Sequence, residues 1–278
     1  MTKVALSIPS SPFLDDDYVF PPLGVLYLKS YLEVVKDIKV DIYNSNHWLD
    51  FRYCGYNYDY IGFSCTTPQY KVHEKILNER TFFYQNKVPI ILGGSHATYY
   101  SSELKNSNFD FIVRGDGEIA ITNIINGKSI PYPLGLSIPM SSEQMNEAPL
   151  PWRDPGFLGQ YVYNLKEKDM KSSRPATVIM TSRGCTMSCA FCEHSQTILR
   201  LYDLLRVWDE IKQCKDCGFR AIMFFDDIFT LHKMRLKIIC GFLMKEDMIF
   251  RCFGHANRMD EDIADMLASS GCVEMGVG

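Results

Sequence analysis

Three cysteines, Cys185, Cys189 and Cys192, stand at C-x3-C-x2-C spacing in the stretch Thr181 to Glu193, which reads Thr-Ser-Arg-Gly-Cys-Thr-Met-Ser-Cys-Ala-Phe-Cys-Glu. Thiolates are soft ligands that suit iron-sulfur clusters, zinc or copper(I), and three so close together can wrap one metal centre. A structural zinc takes four ligands, so three thiols leave one position to be filled. On a four-iron cubane the same three leave one iron free to bind another molecule. Two blander readings stand beside this one. Cysteine is among the most often buried residue types, so the three can be core, although Arg183, Thr186, Ser188 and Glu193 make a polar core run. Alternatively, His194, or Cys214 with Cys217, completes a tetrahedral zinc shell.

An apolar, β-prone run, Ala176 to Met180, precedes the thiols, and an aromatic, Phe191, precedes the last of them. Here the chain resembles the radical S-adenosylmethionine superfamily, whose hallmark is C-x3-C-x-φ-C with φ aromatic. The resemblance implies that Cys185, Cys189 and Cys192 hold a 4Fe-4S cluster whose open iron chelates S-adenosylmethionine. An electron from the cluster then splits the ligand's carbon-sulfur bond to a 5'-deoxyadenosyl radical. An external electron donor of flavodoxin or ferredoxin type and a small-molecule substrate are the partners it implies.

The elements around the loop fit a row of βα units. Leu199 to Lys215 has apolar residues at helical spacing, with Gly218 placed to end the helix. Ala221 to Phe225 reads as a strand, Leu231 to Leu243 as a helix, Met248 to Phe253 as a strand, Asp260 to Ser270 as a helix and Val273 to Gly278 as a strand. In barrels of parallel strands the chemistry sits at the carboxyl ends. By position the family likeness then implies Asp226 and Asp227 for the ammonium group of S-adenosylmethionine, Arg258 for its carboxylate, and Gly276 beside the adenine. A fifth and sixth strand are expected in the family, so this reading takes the barrel as partial, and the sequence as a fragment. Cys214 and Cys217 end an amphipathic helix, and Cys240, Cys252 and Cys272 fall in apolar runs, which argues for burial rather than a second metal site.

The N-terminal half alternates short apolar runs with helical stretches. Strands are expected at Val4 to Ile8, Val40 to Tyr43, Tyr60 to Ser64, Pro89 to Leu92 and Phe109 to Val113. Helices are expected at Leu23 to Val35, Gln69 to Tyr84, Ala97 to Leu104 and Glu118 to Ile125. Strands separated by helices imply a parallel, doubly wound, flavodoxin-like sheet that binds ligands beyond the carboxyl ends of its strands. The turns there carry Ser64-Cys65-Thr66, Gly93-Gly94-Ser95-His96 and Arg114-Gly115-Asp116-Gly117-Glu118, where glycine lets a ligand approach the backbone.

In order, Pro21-Pro22-Leu23-Gly24, Asp59-Tyr60-Ile61-Gly62-Phe63-Ser64, Gly93-Gly94-Ser95-His96-Ala97-Thr98 and Val113-Arg114-Gly115-Asp116-Gly117-Glu118 resemble the cobalamin-binding domain that precedes the radical domain in one branch of the superfamily. The likeness implies Ser64, Thr66, Gly93, Gly94, His96, Gly115 and Glu118 as residues lining cobalamin. The Asp-x-His-x-x-Gly motif that supplies a histidine to cobalt is missing after the first strand. No protein histidine is therefore expected on cobalt, and His96 is expected to cap a turn or face the nucleotide tail.

The fold expected is α/β: a flavodoxin-like sheet of cobalamin-binding type over 1–126, a proline-rich connector over 127–174, and a partial (β/α) radical barrel over 175–278. The formal net charge of −4 and the lack of any basic block give no support to nucleic-acid binding. No run is apolar and long enough to span a membrane, and the start lacks a signal-peptide pattern. With ten cysteines, a reducing cytoplasm is the expected setting. The function expected is cobalamin-dependent methyl transfer to, or cyclisation of, an unactivated carbon. The alternatives are a non-catalytic zinc or iron-sulfur module and a radical methylthiotransferase.

Overall fold

A computed structural model describes residues 1–44, 57–78, 88–128, 137–169, 171–193 and 197–278. The chain divides into two compact units, Met1–Asp17 with Gly24–Met140, and Tyr18–Leu23 with Ser141–Gly278.

The first unit is a parallel sheet of β1 (Lys3–Ile8), β2 (Lys39–Asn44), β3 (Tyr60–Ser64), β4 (Ile90–Gly93) and β5 (Phe111–Ile112), in the order β2-β1-β3-β4-β5. Its helices are α1 (Leu23–Ser30), running on as a π-helical turn over Tyr31–Val35, then α2 (Thr67–Asn78), α3 (Ser95–Tyr99) and α4 (Glu118–Ile125). Successive strand residues serve opposite layers, as a pleated strand requires. Val4, Leu6 and Ile91 pack with Val25 of α1 and Ile121 of α4. Ala5, Ile61, Phe63 and Leu92 pack with Tyr70 and Leu77 of α2 and Ala97 of α3. Each large aliphatic or aromatic side chain buried there contributes about 1.5–3 kcal/mol, which is why these strands read as near-continuous apolar runs. With α1 on one face and α2 on the other, the winding reverses between β1 and β3. In doubly wound sheets the ligand crevice lies outside the carboxyl ends at that point.

The helix expected over Ala97 to Leu104 is broken. α3 stops at Tyr99, Tyr100 takes φ −116°, and a 3-10 turn follows at Glu103–Asn106. Ser101 and Ser102, weak helix formers, lie at the break. Of the helix expected over Gln69 to Tyr84, residues 79–84 lie outside the described residues.

In the second unit, α5 (Ser142–Glu147) starts on a Ser141/Gln144 capping box, and α6 (Pro155–Leu158) starts on Asp154 with proline at the head of the helix. These lie inside the segment read as a connector, together with β6 (Asn164–Lys166), which pairs antiparallel to β7 (Ser173–Ile179). The two-residue strands β8 (Ser182–Arg183) and β9 (Arg200–Leu201) make a small antiparallel ribbon. After α7 (Leu204–Asp216) come β10 (Ala221–Phe224), α8 (Lys233–Lys245), β11 (Ile249–Gly254), α9 (Glu261–Ser269) and β12 (Cys272–Val277). The main sheet runs β12-β11-β10-β7-β6, a curled half-barrel, parallel except for β6.

Arg153 fastens the proline-rich segment to this sheet. Its guanidinium donates to Thr177 Oγ1 (3.0 Å) and the Val178 carbonyl (2.7 Å) of β7, and pairs with Glu210 of α7 at 2.9 Å, with both side chains buried. Tyr18–Leu23 is also built into this unit: the Tyr18 carbonyl accepts from the Val162 amide, and Phe20 packs on Tyr163 and Phe225. Among the described residues, no helix is long and apolar enough to cross a membrane.

Candidate functional site

The thiol loop leaves the carboxyl end of β7 and is anchored at its root. Asp226, just beyond β10, accepts from the Thr181 amide (2.9 Å), the Thr181 hydroxyl (2.7 Å) and the Ser182 hydroxyl (2.5 Å). Burial pushes the Asp226 carboxyl above the usual carboxylate range, opposed by these hydrogen bonds and by Arg235. Arg235, its own pKa lowered by burial, donates to the Thr181 and Tyr202 carbonyls. The chain then passes through the β8–β9 ribbon, which closes the neck of the loop. At Gly184, φ is +90°, and a Cβ would lie 2.3 Å from the Ile198 carbonyl oxygen, so only glycine lets the two sides of the neck cross. The Cys185 amide completes the neck by donating to Thr197 Oγ1 at 2.8 Å.

Beyond the neck, Cys185 is buried while Cys189 and Cys192 are half-buried. The Cys192 amide donates to the Cys189 carbonyl (3.1 Å), a tight turn that brings these two thiols to the same end of the loop. Burial raises the Cys185 thiol pKa, and Asp227, Cys192 and Cys189 raise it further, so all three thiols and the Asp227 carboxylate share one electrostatic neighbourhood. The Cys189 sulfur lies 3.6 Å from Nε2 of His255, at the carboxyl end of β11. Among the described residues, no three His, Cys, Asp or Glu side chains close on a single metal ion. A 4Fe-4S cubane asks for something else, because its three thiolates bind three different irons. Three thiols on one loop with a closed neck, Cys185 within electrostatic reach of the other two, fit that donor set. His194, the candidate fourth ligand of a zinc, lies outside the described residues. Cys214, on α7, is fully buried, its thiol pushed up to about 12, and the Cys217 thiol donates to the Arg153 carbonyl.

The other residues expected around S-adenosylmethionine separate by environment. Asp227 and Arg258 are exposed, on the loops that follow β10 and β11 at the same edge as the thiols. Asp226, expected to meet the ligand's ammonium group, is instead buried, with its oxygens taken by Thr181 and Ser182. Gly276 faces Phe253, whose ring comes within 2.7 Å of where a Cβ would stand, so a packing constraint alone accounts for glycine there. Phe191 is 84% exposed.

In the first unit the carboxyl edge is made of backbone. Gly94 takes φ +91° against Cys65, where a Cβ would lie 2.5 Å from the carbonyl oxygen, which draws the turns after β3 and β4 together. The Thr98 hydroxyl donates to the Gly94 carbonyl (2.8 Å) and accepts from the Gly115 amide (2.9 Å), linking the turns after β4 and β5. Gln69 accepts from the Thr66 amide and donates to the Pro9 carbonyl, linking the turns after β3 and β1. Ser64, Gly93 and Gly94 are half-buried, and Thr66 and Gly115 are exposed along this edge, small residues that leave the backbone open to a ligand. That cradle fits cobalamin. Glu118 is buried, where it raises the Tyr31 hydroxyl after burial itself does so.

His96 corrects an expectation. Rather than capping a turn or facing outward, its ring is fully buried, stacked on Tyr70 (4.1 Å) and Tyr100 (5.5 Å), with Nδ1 3.3 Å from Thr67 Oγ1 and Nε2 without a partner. Burial lowers its pKa, and the flat ring fills a slot between two tyrosines. His73 hydrogen-bonds Ser10 through Nε2 at 3.0 Å. His47 lies outside the described residues.

Residues 15–125 match the model of the B12 binding domain family. An uncharacterized methyltransferase of Pyrococcus horikoshii is 29% identical over 91% of this chain, which spans 59% of that relative's length. The structure of a radical S-adenosylmethionine methyltransferase, TsrM from Kitasatospora setae, solved with cobalamin and a 4Fe-4S cluster bound, superposes on all of this chain with a TM-score of 0.76 at 17% identity, the match covering 59% of that chain. The cobalamin-dependent S-adenosylmethionine radical enzyme OxsB, solved with aqua-cobalamin, does so with a TM-score of 0.74 at 16% identity, over 44% of its own length. Residues 15–125 are thus similar in sequence to the B12 binding domain family, and the whole chain is similar in fold to these two solved structures.

Proposed function

We propose that this chain is the cobalamin- and S-adenosylmethionine-binding portion of a radical enzyme that methylates or cyclises an unactivated carbon of a small molecule. The observation that carries the reading is the thiol loop at the carboxyl edge of a parallel half-barrel, in a chain whose first unit matches the B12 binding domain. When bound, a 4Fe-4S cluster supplies the electron that cleaves S-adenosylmethionine, and cobalamin supplies a methyl carrier.

The chain's own residues do the holding. Cys185, Cys189 and Cys192 are the ligands, and Asp226 sets the root from which they project. The Asp227 carboxylate, beside Cys185, suits an ammonium group, and the Arg258 guanidinium suits a carboxylate. The turns carrying Ser64, Thr66, Gly93, Gly94 and Gly115 present backbone polar groups to the corrin. The electron comes from a separate donor of flavodoxin or ferredoxin type. Methyl transfer is favoured over cyclisation because the Pyrococcus relative and the TsrM fold neighbour are both described as methyltransferases.

Anaerobic reconstitution with iron, sulfide and hydroxocobalamin tests this. Expected are a four-iron cluster, retained cobalamin absorbance, and 5'-deoxyadenosine from S-adenosylmethionine after reduction, with cluster and product lost in Cys189→Ala. Zinc bound at the three thiols in place of iron would overturn the reading.

A further inference from the structure

We infer that His255 is a positioning residue of the thiol loop: it donates a hydrogen bond from Nε2 to the Cys189 sulfur and thereby raises the reduction potential of the cluster held there. The inference rests on the cluster reading of Cys185, Cys189 and Cys192.

The proton's place follows from the backbone. Nδ1 of His255 lies 3.1 Å from the Asn257 amide nitrogen, which caps the 3-10 turn Ala256–Arg258. A backbone amide can only donate, so Nδ1 must present its lone pair. In the neutral imidazole the single ring proton then sits on Nε2, the atom that faces the Cys189 sulfur at 3.6 Å. The chain itself sets this tautomer, whether or not a metal is bound.

The ring's aim is also built in. Gly254 precedes it, with the end of β11 packed against Met275 and Thr230: a Cβ there would lie 2.1 Å from Cε of Met275 and 3.1 Å from Oγ1 of Thr230. The Gly254 carbonyl accepts from the Gly278 amide (3.2 Å), and the Gly278 carbonyl accepts from the Ala256 amide (3.4 Å), which ties both flanks of His255 to the end of β12. The Arg258 amide closes on the His255 carbonyl at 2.8 Å. Cys189 and His255 are 66 residues apart and on different βα units, so only the sheet brings them together.

An N–H donor stabilises the electron-rich sulfur more when the cluster has gained an electron, because negative charge on its sulfurs rises. Reduction is thereby favoured, a lever by which hydrogen bonds to sulfur tune such centres. Losing the donor should make the cluster harder to reduce.

Two measurements test the inference on this chain. In the metal-free protein labelled with 15N-histidine, the His255 ring, assigned by its loss in His255→Gln, should show the Nε2–H tautomer. After anaerobic reconstitution, electron paramagnetic resonance is followed through a redox titration for the native chain, His255→Leu and His255→Gln. Equal iron and sulfide are expected in all three, with the oxidised-to-reduced ratio at fixed potential rising about threefold to tenfold in His255→Leu; tenfold is about 59 mV for a one-electron couple. His255→Gln, which keeps an N–H donor, should recover most of the shift. An unchanged potential in His255→Leu, or an Nδ1–H tautomer, overturns the inference while leaving the cluster reading intact. Loss of iron in both variants overturns it differently, by making His255 a ligand. A native chain that assembles no cluster removes the cluster reading and this inference together. If His255→Leu does not fold, the tautomer in the native chain and the potential of His255→Gln, expected near native, decide the matter.

Discussion

The two units each have a sheet whose parallel strands end at one carboxyl edge, and they brace that edge in opposite ways. In the first, neighbouring turns are fastened to one another through Gly94 on Cys65, Thr98 between Gly94 and Gly115, and Gln69 between Thr66 and Pro9. In the second, the fastening is concentrated at the root of one loop, through Asp226, Gly184 and Thr197, and the thiols lie beyond it. An edge of braced backbone holds its shape before any ligand arrives. On the proposed cluster reading, a loop anchored at its neck would leave its thiols to be drawn together by the metal, whose binding energy would become folding energy for that loop.

The sharpest way to break this comparison is to remove the support beneath the second edge. Arg153→Ala breaks the buried ion pair with Glu210, and the second unit should lose about 3–5 kcal/mol. Chemical denaturation followed by Trp152 and Trp208 fluorescence would register it, with Arg153→Lys recovering only part.

Next comes the brace of the first edge. Gly94→Ala forces a side chain into a left-handed backbone and onto Cys65, and should cost about 3 kcal/mol. Retained cobalamin should fall with the stability of the first unit, while iron incorporation in the second stays at the native level. A drop in iron instead would mean that the two edges do not act separately.

A smaller effect is expected at the loop's root. Asp226→Ala removes the acceptor shared by Thr181 and Ser182, at about 1–3 kcal/mol, and should weaken iron retention about tenfold against a chelator. Asp226→Asn should fall between. If Asp226 met S-adenosylmethionine directly, both variants would retain iron and fail only in binding that ligand.

The smallest effect tests whether the buried histidine of the first unit is packing alone. His96→Phe keeps the stack between Tyr70 and Tyr100 and removes the unpartnered Nε2, so stability at neutral pH should change by less than about 1 kcal/mol and cobalamin should still bind. Burial holds the native ring below the ordinary value of 6.5, so as pH falls through about 6.5 the unfolded ring takes up a proton that the native ring refuses. This contribution to stability is therefore full above pH 6.5 and is lost as the pH falls toward the lowered value. Thermal unfolding of the native chain at pH 7.5 and 5.5 should show that loss, and His96→Phe should reduce it.

What the sequence shows of the fold is written in short spacing. The βα alternation lies in runs of a few residues each, so periodicity and turn chemistry expose it, and the structure bears it out. The expectations that the structure changed depended on distant partners. Asp226 and Asp227 are adjacent and chemically identical, and nothing local says that one is buried against Thr181 while the other is exposed. His96 sits in a glycine turn that looks like a ligand edge, yet its ring goes inward because Tyr70 and Tyr100 offer a flat slot. The proline-rich segment looked like a connector because prolines interrupt helices, but Arg153 within it finds Glu210, which is 57 residues away. Strands as short as β6, β8 and β9 carry too few residues for a period to show.

From the sequence alone came the chemistry available to this protein: three soft ligands at one spacing, an aromatic beside them, and two runs of parallel βα units to carry ligand edges. Tertiary structure decided which side chains stand at those edges. It buried one of two adjacent aspartates, turned a histidine into the core of the first unit, and set His255 of one strand end against Cys189 of another. Such choices depend on what the folded sheet places opposite each residue, and burial and hydrogen-bond partners exist only once the chain has folded.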